Sequence, residues 1–357
     1  MTDEQSSIEQ IREAQNTGTK AVIASHQFDE ARLATWLQTN VEGFAGPLDV
    51  RQFKGGQSNP TYQLSTPSAR YVMRRKPMGH LLPSAHAVDR EFKVISALNT
   101  TGFPVPRAYA LCTDEGVIGS MFYVMEMVEG RILWDLSLPA STPSERHAIH
   151  MAALRTLAEL HNTDYCAIGL ADFGRPGNYM ARQISRWTKQ YKASETHHID
   201  AMERLIEWLP STVPPDDQTS IVHADYRLDN MILHPTESRV VAVLDWELST
   251  LGNPLADFTY VLMQWVNGSL AAIPDLAARG IPTMDEYIAE YCRLTGRSEL
   301  PDLNWYFAYN SFRLAGILQG IVGRVRDGTA NSPQAAEMAA RVPLLAEAAW
   351  RFAEKVR

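Results

Sequence analysis

The sequence predicts an α+β protein of two unequal lobes: a small antiparallel β lobe carrying one helix, then a larger, mainly α-helical lobe. Three observations predict it. From Leu48 to Gly130, short runs rich in β-branched and aromatic residues recur between Gly, Pro, Ser and Asn. Beyond Gly130 the apolar residues recur at helical spacing instead. Two short β segments, SIVHAD and VVAVLDW, stand inside that helical half on either side of a strongly polar loop. At 357 residues the chain is long enough for two lobes, and a composition 45% apolar and 21% charged is that of an ordinary globular protein.

Each element follows from its local pattern. Residues 1–25 lack a strong apolar period and are expected to form an extension, ahead of lobes over 26–129 and 130–357. Asp29 to Val41 reads as a helix with Leu33, Trp36 and Leu37 on one face. DVRQF, TYQLS and RYVMRR then read as strands. DREFKVISAL (Asp89 to Leu98) interrupts them as a helix, because Phe92, Ile95 and Leu98 recur at helical spacing, and MFYVMEMVEG returns to strand and ends on Gly130. Ser144 to His161 carries Ile149, Ala152, Ala153, Leu157 and Leu160 on one stripe. Helices over Asn178 to Lys192 and Ile199 to Leu209 follow, with more from Leu255 to the C-terminus.

The bulk numbers exclude some classes. A net charge of −8 argues against a nucleic-acid binder, whose affinity draws on clustered Lys and Arg. Cys112, Cys166 and Cys292 are odd in number and widely spaced, which suits neither a disulfide framework nor a zinc site and fits a reducing cytoplasm. The polar, acidic N-terminus does not read as an export signal. The apolar stretch LAGILQGIVG (Leu314 to Gly323) falls well short of the ~20 residues a membrane span needs, so no membrane partner is expected.

The polar loop is the informative feature. IVHADYRLDNMI packs His223, Asp225, Arg227, Asp229 and Asn230 between apolar runs that enter a core, and polar groups held there need partners. RVVAVLDWE places Asp245 and Glu247 at the end of a strand that pairs, as a hairpin, with the segment after Asn230. The carboxylate of Asp245 and the amide oxygen of Asn230 are what hard, oxygen-seeking Mg²⁺ takes from protein, and Asp225 is left to act as a base.

His223-x-Asp225-x4-Asn230 followed by Asp245 resembles the catalytic and metal-binding segments of the kinase-like phosphotransferases, nearest the aminoglycoside phosphotransferase and choline kinase family. GGQSNPTY, RYVMRRKP, NYMARQISRWTKQY and HADYRLDN also resemble the phosphotransferase module fused to acyl-CoA dehydrogenases. The resemblance implies a bilobal, protein-kinase-like fold and an enzyme that moves the γ-phosphate of ATP, with Mg²⁺, to a hydroxyl of a small molecule. By the family's pattern Asp225 orients and deprotonates the acceptor, Asn230 and Asp245 hold Mg²⁺, and His223 braces the loop. Arg227 is directed at the transferred phosphate or is a solvent-facing cation. Glu247 supports the metal or is a helix-start acid, and Asp257 in GNPLADF braces the loop backbone. Ala224 stands where many relatives have Gly.

The same resemblance makes KGGQSNPTY, with Gly56, Gln57 and Ser58, a nucleotide-covering loop, although two glycines and an Asn-Pro are also ordinary hairpin chemistry. It makes Arg74 the group on the α and β phosphates, with Arg75 the alternative one register away, and Glu91 the partner of Arg74. It places the backbone of Glu126 to Val128 against adenine. These motifs run in the family's order over residues 53 to about 260, and order is the specific part.

The acceptor is less legible. Asp275, Asp285, Glu286, Glu290, Glu299 and Asp302 are scattered at spacings normal for solvated helices, whereas a polycationic aminoglycoside wants clustered carboxylates. Trp265, Trp305, Tyr306, Phe307, Tyr309 and Phe312 are dense and read as core or as walls of an apolar pocket. The expected acceptor is a hydroxylated molecule with an apolar portion, of acyl type as the fused relatives suggest. The alternatives are an aminoglycoside or choline-type amino-alcohol kinase and, from another class, a nucleotide-binding pseudokinase scaffold. A Ser-His-Asp hydrolase lacks its G-x-S-x-G elbow here.

Overall fold

The computed structural model describes residues 17–55, 59–78, 86–215, 218–328 and 335–357. Strands β1 (Thr19–Lys20), β2 (Asp49–Phe53), β3 (Thr61–Ser65), β4 (Arg70–Arg75), β5 (Ala108–Cys112) and β6 (Phe122–Glu126) form one antiparallel sheet in the order β1-β2-β3-β4-β6-β5. Helix α1 (Glu30–Asn40) begins at Asp29, whose side chain accepts from Arg32 N. It buries Leu33 and Leu37 against Tyr62, Leu64, Tyr71 and Met73 of the sheet.

Side chains alternate along a strand, so Val72 and Arg74 of β4 point the other way, to the face covered by α2 (Val88–Asn99). Arg75 therefore turns toward α1. Its Nε donates to Ser120 Oγ at 2.8 Å and its guanidinium lies 5.4 Å from the ring centre of Phe28.

Two strands of this sheet lie outside the sequence expectations. AYALC (β5) is a half-buried edge strand with two alanines, so it carries little of the alternation that marks a strand. Thr19 and Lys20 pair with Phe53 and Gln52, inside the segment read as an extension, through backbone bonds that polar side chains do not advertise. The remainder of that segment, residues 1–16, lies outside the described residues.

The large lobe holds α3 (Pro143–Asn162), α4 (Tyr179–Ser194), α5 (Asp200–Ser211), α6 (Pro254–Val266), α7 (Met284–Thr295), α8 (Leu303–Arg326) and α9 (Ala335–Ala353). α8 is its axis, packed against α4, α6 and α9. The glycines of LAGILQGIVG let α4 approach: a Cβ on Gly323 would stand 2.6 Å from Ser194 Cβ. Trp305, Tyr306, Phe307, Tyr309 and Phe312 are all buried on α8 as core. Among the described residues no helix is long and apolar enough to cross a membrane.

Two short sheets sit where the lobes meet. β7 (Ser220–Val222) pairs with β10 (Thr250–Gly252), and β8 (Met231–Leu233) pairs with β9 (Val240–Val243) as the expected hairpin. The linker after β6 is pinned to this hairpin by the bridge between Arg131 and Leu233. A Cβ on Gly130 would collide with Leu233 O, so only glycine fits that approach.

Candidate active site

β7 and β8 bracket the loop from His223 to Asn230, and the loop's shape has to be enforced. Ala224 (φ 66°) and Asp245 (φ 65°) both adopt left-handed backbone, which costs a residue with a side chain on the order of 1 kcal/mol. Asp257, at the start of α6, supplies the grip: its Oδ2 accepts His223 N at 2.7 Å and its Oδ1 accepts Ala224 N at 2.8 Å. Burial works against this carboxylate, yet His161 and His223 hold it below the usual carboxylate range. His223 is fully buried, with Nδ1 accepting Asp225 N at 3.2 Å and Nε2 2.8 Å from Leu244 O. Those partners assign the proton to Nε2 and tie the loop to the strand that leads to Asp245.

The predicted polar set converges. Asn230 Nδ2 donates to Asp225 O at 2.9 Å and to Asp225 Oδ2 at 3.1 Å. Tyr260 OH donates to Asp225 Oδ1 at 2.9 Å. Arg227 stands between two carboxylates, Nη2 3.0 Å from Asp229 Oδ2 and Nε 3.4 Å from Asp225 Oδ1, the latter N–H not aimed at the oxygen.

From the small lobe, Arg74 Nη2 reaches Asp245 Oδ1 at 2.6 Å and Glu247 Oε2 at 3.3 Å. Its Nε lies 2.9 Å from Glu91 Oε2, a close ion pair whose N–H is off the hydrogen-bond direction. Glu91 is 1% exposed and accepts Asn59 Nδ2 at 3.0 Å and Tyr123 OH at 3.1 Å. Asn59 Nδ2 also donates to Glu247 Oε2 at 3.2 Å, so one amide joins the lobes.

Burial lifts the Glu91 carboxyl to about 7 against the pull of Arg74. Burial likewise penalises Arg74, but the surrounding carboxylates hold it above its ordinary value. The guanidinium thus stays charged while Glu91 ionises near neutrality.

Arg74, Asn230 and Asp245 line a cleft of about 490 Å³ between the lobes, and Asp225 and Glu91 stand one contact behind them. Its polar wall is Arg74, Asp229, Asn230 and Asp245, and its apolar wall is Val72, Ile95, Met125, Ile232 and Val243, beside the backbone from Glu126 to Val128. Glu126 N donates to Arg107 O at 2.8 Å, which commits that N–H to the sheet. Thr17 to Thr19 and Gly55 also border the cleft, whereas Gly56, Gln57 and Ser58 lie outside the described residues. The donor set fits Mg²⁺: the amide hydrogens of Asn230 are committed to Asp225, and the oxygens of Asn230 and Asp245 are hard ligands on the cleft wall. A second cavity, about 30 Å³, lies on the far side of the loop between Arg227, Tyr260 and Trp265.

Three contributors were not legible as motifs. Tyr260 follows Asp257 by three residues on one helix, a spacing that shares a face and could have flagged it. Arg313 stands alone in the apolar run of α8, and a lone cation there signals a buried partner. Asn59 reads as half of an Asn-Pro turn, and nothing local distinguishes it.

Comparison with known proteins identifies the family and agrees with the fold. The model of the phosphotransferase enzyme family matches residues 49–295. The chain is 46% identical over 316 residues to acyl-CoA dehydrogenase family member 10 of Mus musculus, covering 87% of this chain and 30% of that protein. It is 43% identical over 352 residues to acyl-CoA dehydrogenase family member 11 of Gallus gallus, covering 95% of this chain and 45% of that protein. The chain thus spans less than half the length of these curated relatives. A crystal structure from Ralstonia eutropha JMP134, solved as a candidate aminoglycoside phosphotransferase, is similar at 53% identity and TM-score 0.85, over 93% of this chain and all of that one. A thermostable mutant of aminoglycoside phosphotransferase APH(4)-Ia, solved with ADP and hygromycin B, shares the fold at 14% identity and TM-score 0.59, over 89% of this chain and 97% of that one.

Proposed function

Because the chain belongs to the phosphotransferase enzyme family, we propose that it transfers the γ-phosphate of ATP, with Mg²⁺, to a hydroxyl of a small, partly apolar molecule. The observation that carries this reading is the convergence of three segments on one cleft: Asp225 and Asn230 from one loop, Asp245 from just beyond β9 and Arg74 from β4. In this reading residues 26–129 form the nucleotide lobe and 130–357 the catalytic and acceptor lobe. The apolar wall of the cleft takes adenine, and Arg74, braced by Glu91, holds the α and β phosphates. Asn230 and Asp245 would hold Mg²⁺, which supplies charge neutralisation on the phosphates.

Asp225 accepts the proton of the acceptor hydroxyl as that oxygen attacks the γ-phosphorus. The bond from phosphorus to the β,γ-bridging oxygen breaks, and ADP leaves with that oxygen. Asp225 then returns its proton to solvent, leaving a phosphomonoester and ADP. His223 and Asp257 fix the loop that aims Asp225.

The wall beside Tyr260 is mostly apolar, which suits a partly apolar acceptor, while its cavity of about 30 Å³ has room for only a water or two. Leu136, Trp265, Tyr287 and His150 line it, and burial lowers His150 to about 4, so its imidazole is neutral. Among the described residues lining it none is a carboxylate, which leaves a polycation no partner there. Acids scattered over the lobe serve elsewhere: Glu286 closes a capping box, Asp302 caps α8 and Glu290 pairs with Arg293. Acyl-type hydroxy compounds are the first class to screen, given the acyl-CoA dehydrogenase relatives. The three free cysteines fit work in a reducing cytoplasm. The test is ADP release from Mg-ATP with a panel of hydroxy acids, their thioesters, amino alcohols and aminoglycosides. Turnover on hydroxyacyl compounds supports the reading; turnover on aminoglycosides alone overturns the acceptor class. Tight Mg-ATP binding with no turnover, even with water as acceptor, identifies a pseudokinase.

A further inference from the structure

We infer that Tyr260 is a positioning residue for Asp225 and that Arg313 holds Tyr260 and the loop in place, a role that rests on reading Asp225 as the base. α6 carries Asp257 and Tyr260 on one face, so a single helix supplies both the carboxylate that takes two loop N–H groups and the hydroxyl that takes Asp225 Oδ1. α8 supplies the third contact: Arg313 Nη2 donates to Ala224 O at 2.6 Å. The peptide from His223 to Asp225 is thereby gripped at its N–H groups by Asp257, at its carbonyl by Arg313 and at its working carboxylate by Tyr260.

Arg313 is an expensive residue to place there. It is 7% exposed and forms no ion pair among the described residues. An interior cation of this kind is costly unless something specific offsets it. What surrounds it is the ring of Tyr260, 5.2 Å from the guanidinium carbon, the ring of Trp187 at 5.7 Å, and the loop carbonyl. A planar guanidinium against the face of Tyr260 fixes the direction of that phenol.

The consequence falls on Asp225. Its two oxygens are bound by different donors, Oδ2 by Asn230 and Oδ1 by Tyr260, which sets the plane of the carboxyl group. Burial and the adjacent Asp225 carboxylate push the Tyr260 phenol well up, so it remains a donor across the working range. Tyr260 also lines the small cavity.

The probe is Mg-ATP with water as the phosphoryl acceptor, followed by ADP release at neutral pH, with thermal melting measured alongside. Tyr260→Phe removes one oxygen and is expected to lower kcat about tenfold, because Asp225 then keeps only one of the two donors that set the plane of its carboxyl group. The KM for ATP should stay within about twofold, since no phosphate contact is touched. Arg313→Lys, which keeps the charge without the planar stack, should give a smaller fall in kcat with the KM for ATP again unchanged. A Tyr260→Phe enzyme whose kcat matches that of the wild type, or whose kcat falls only together with a changed KM and a lowered melting temperature, overturns the inference, because a merely structural hydroxyl would not lower kcat alone. Asp225→Asn, measured alongside, separates the two failures. If it retains wild-type turnover, the base reading itself fails; if it is slowed and Tyr260→Phe is unaltered, only the present inference does.

Discussion

Asp257→Asn probes the loop where its geometry is most constrained. The carboxylate is 2% exposed and spends one oxygen on His223 N at 2.7 Å and the other on Ala224 N at 2.8 Å. Asparagine keeps a single acceptor oxygen, and its NH₂ must then face the second N–H donor to donor. The variant loses one charge-assisted bond and leaves a buried N–H without an acceptor, together worth about 3 kcal/mol. A domain with an ordinary margin of about 5–15 kcal/mol survives that loss. Ala224, held at φ 66°, is then free to relax, and displacement of Asp225 should slow turnover about 10²-fold while the KM for ATP holds. The pH dependence has a sign. Asp257 is depressed below its ordinary 3.8, so its stabilisation is present above that value and is lost as pH falls through the lower folded value. Urea unfolding at neutral and acid pH, with ADP release at neutral pH, measures all three effects. A variant within about 0.5 kcal/mol of wild type and with normal turnover would refute the brace.

Other outcomes follow from the same contacts. Arg74→Ala should raise the KM for ATP markedly, and Glu91→Gln should lower kcat more than it raises KM, whereas Arg75→Ala should spare ATP kinetics and cost stability through its bond to Ser120; steady-state kinetics that damage Arg75→Ala instead would reverse the register. Since burial raises Glu91 to about 7, the wild type should approach the Glu91→Gln rate as pH falls below neutrality, and a gap that persists at pH about 5 would count against that protonation. ATP should raise the melting temperature far more with Mg²⁺ than without it, and equal shifts would remove Asn230 and Asp245 as metal ligands. Gly130→Ala should cost roughly 1–3 kcal/mol, read by urea unfolding, because its methyl would meet Leu233 O across the linker.

Much of the small lobe was legible because its signals are local. DVRQF, TYQLS and RYVMRR coincide with β2, β3 and β4, and turn residues mark each end. The loop and its hairpin were legible for the opposite reason: so many polar groups between apolar runs need partners, and a strand ending in Asp245 offers one. β5 escaped because its alanines carry no alternation, and β1 because two residues cannot display a period. Tyr260 and Arg313 escaped because their contacts to Asp225 and Ala224 span 35 and 89 residues, and only packing brings them together. The sequence left Arg227 open between phosphate and solvent. The structure sets it against Asp225 and Asp229, on the wall of the small cavity rather than of the nucleotide cleft.

The account's central claim is a division of labour at one cleft, in which Asp225 serves the acceptor and Asp245 serves the metal and nucleotide. Calorimetric binding of Mg-ATP, paired with ADP release, tests it on two variants. Asp225→Asn should bind Mg-ATP almost as the wild type does and release ADP about 10² to 10⁴ times more slowly, the range of a positioned base. Asp245→Ala should lose both affinity and turnover. Two variants that behave alike, or an Asp225→Asn enzyme that turns over at the wild-type rate, would contradict it.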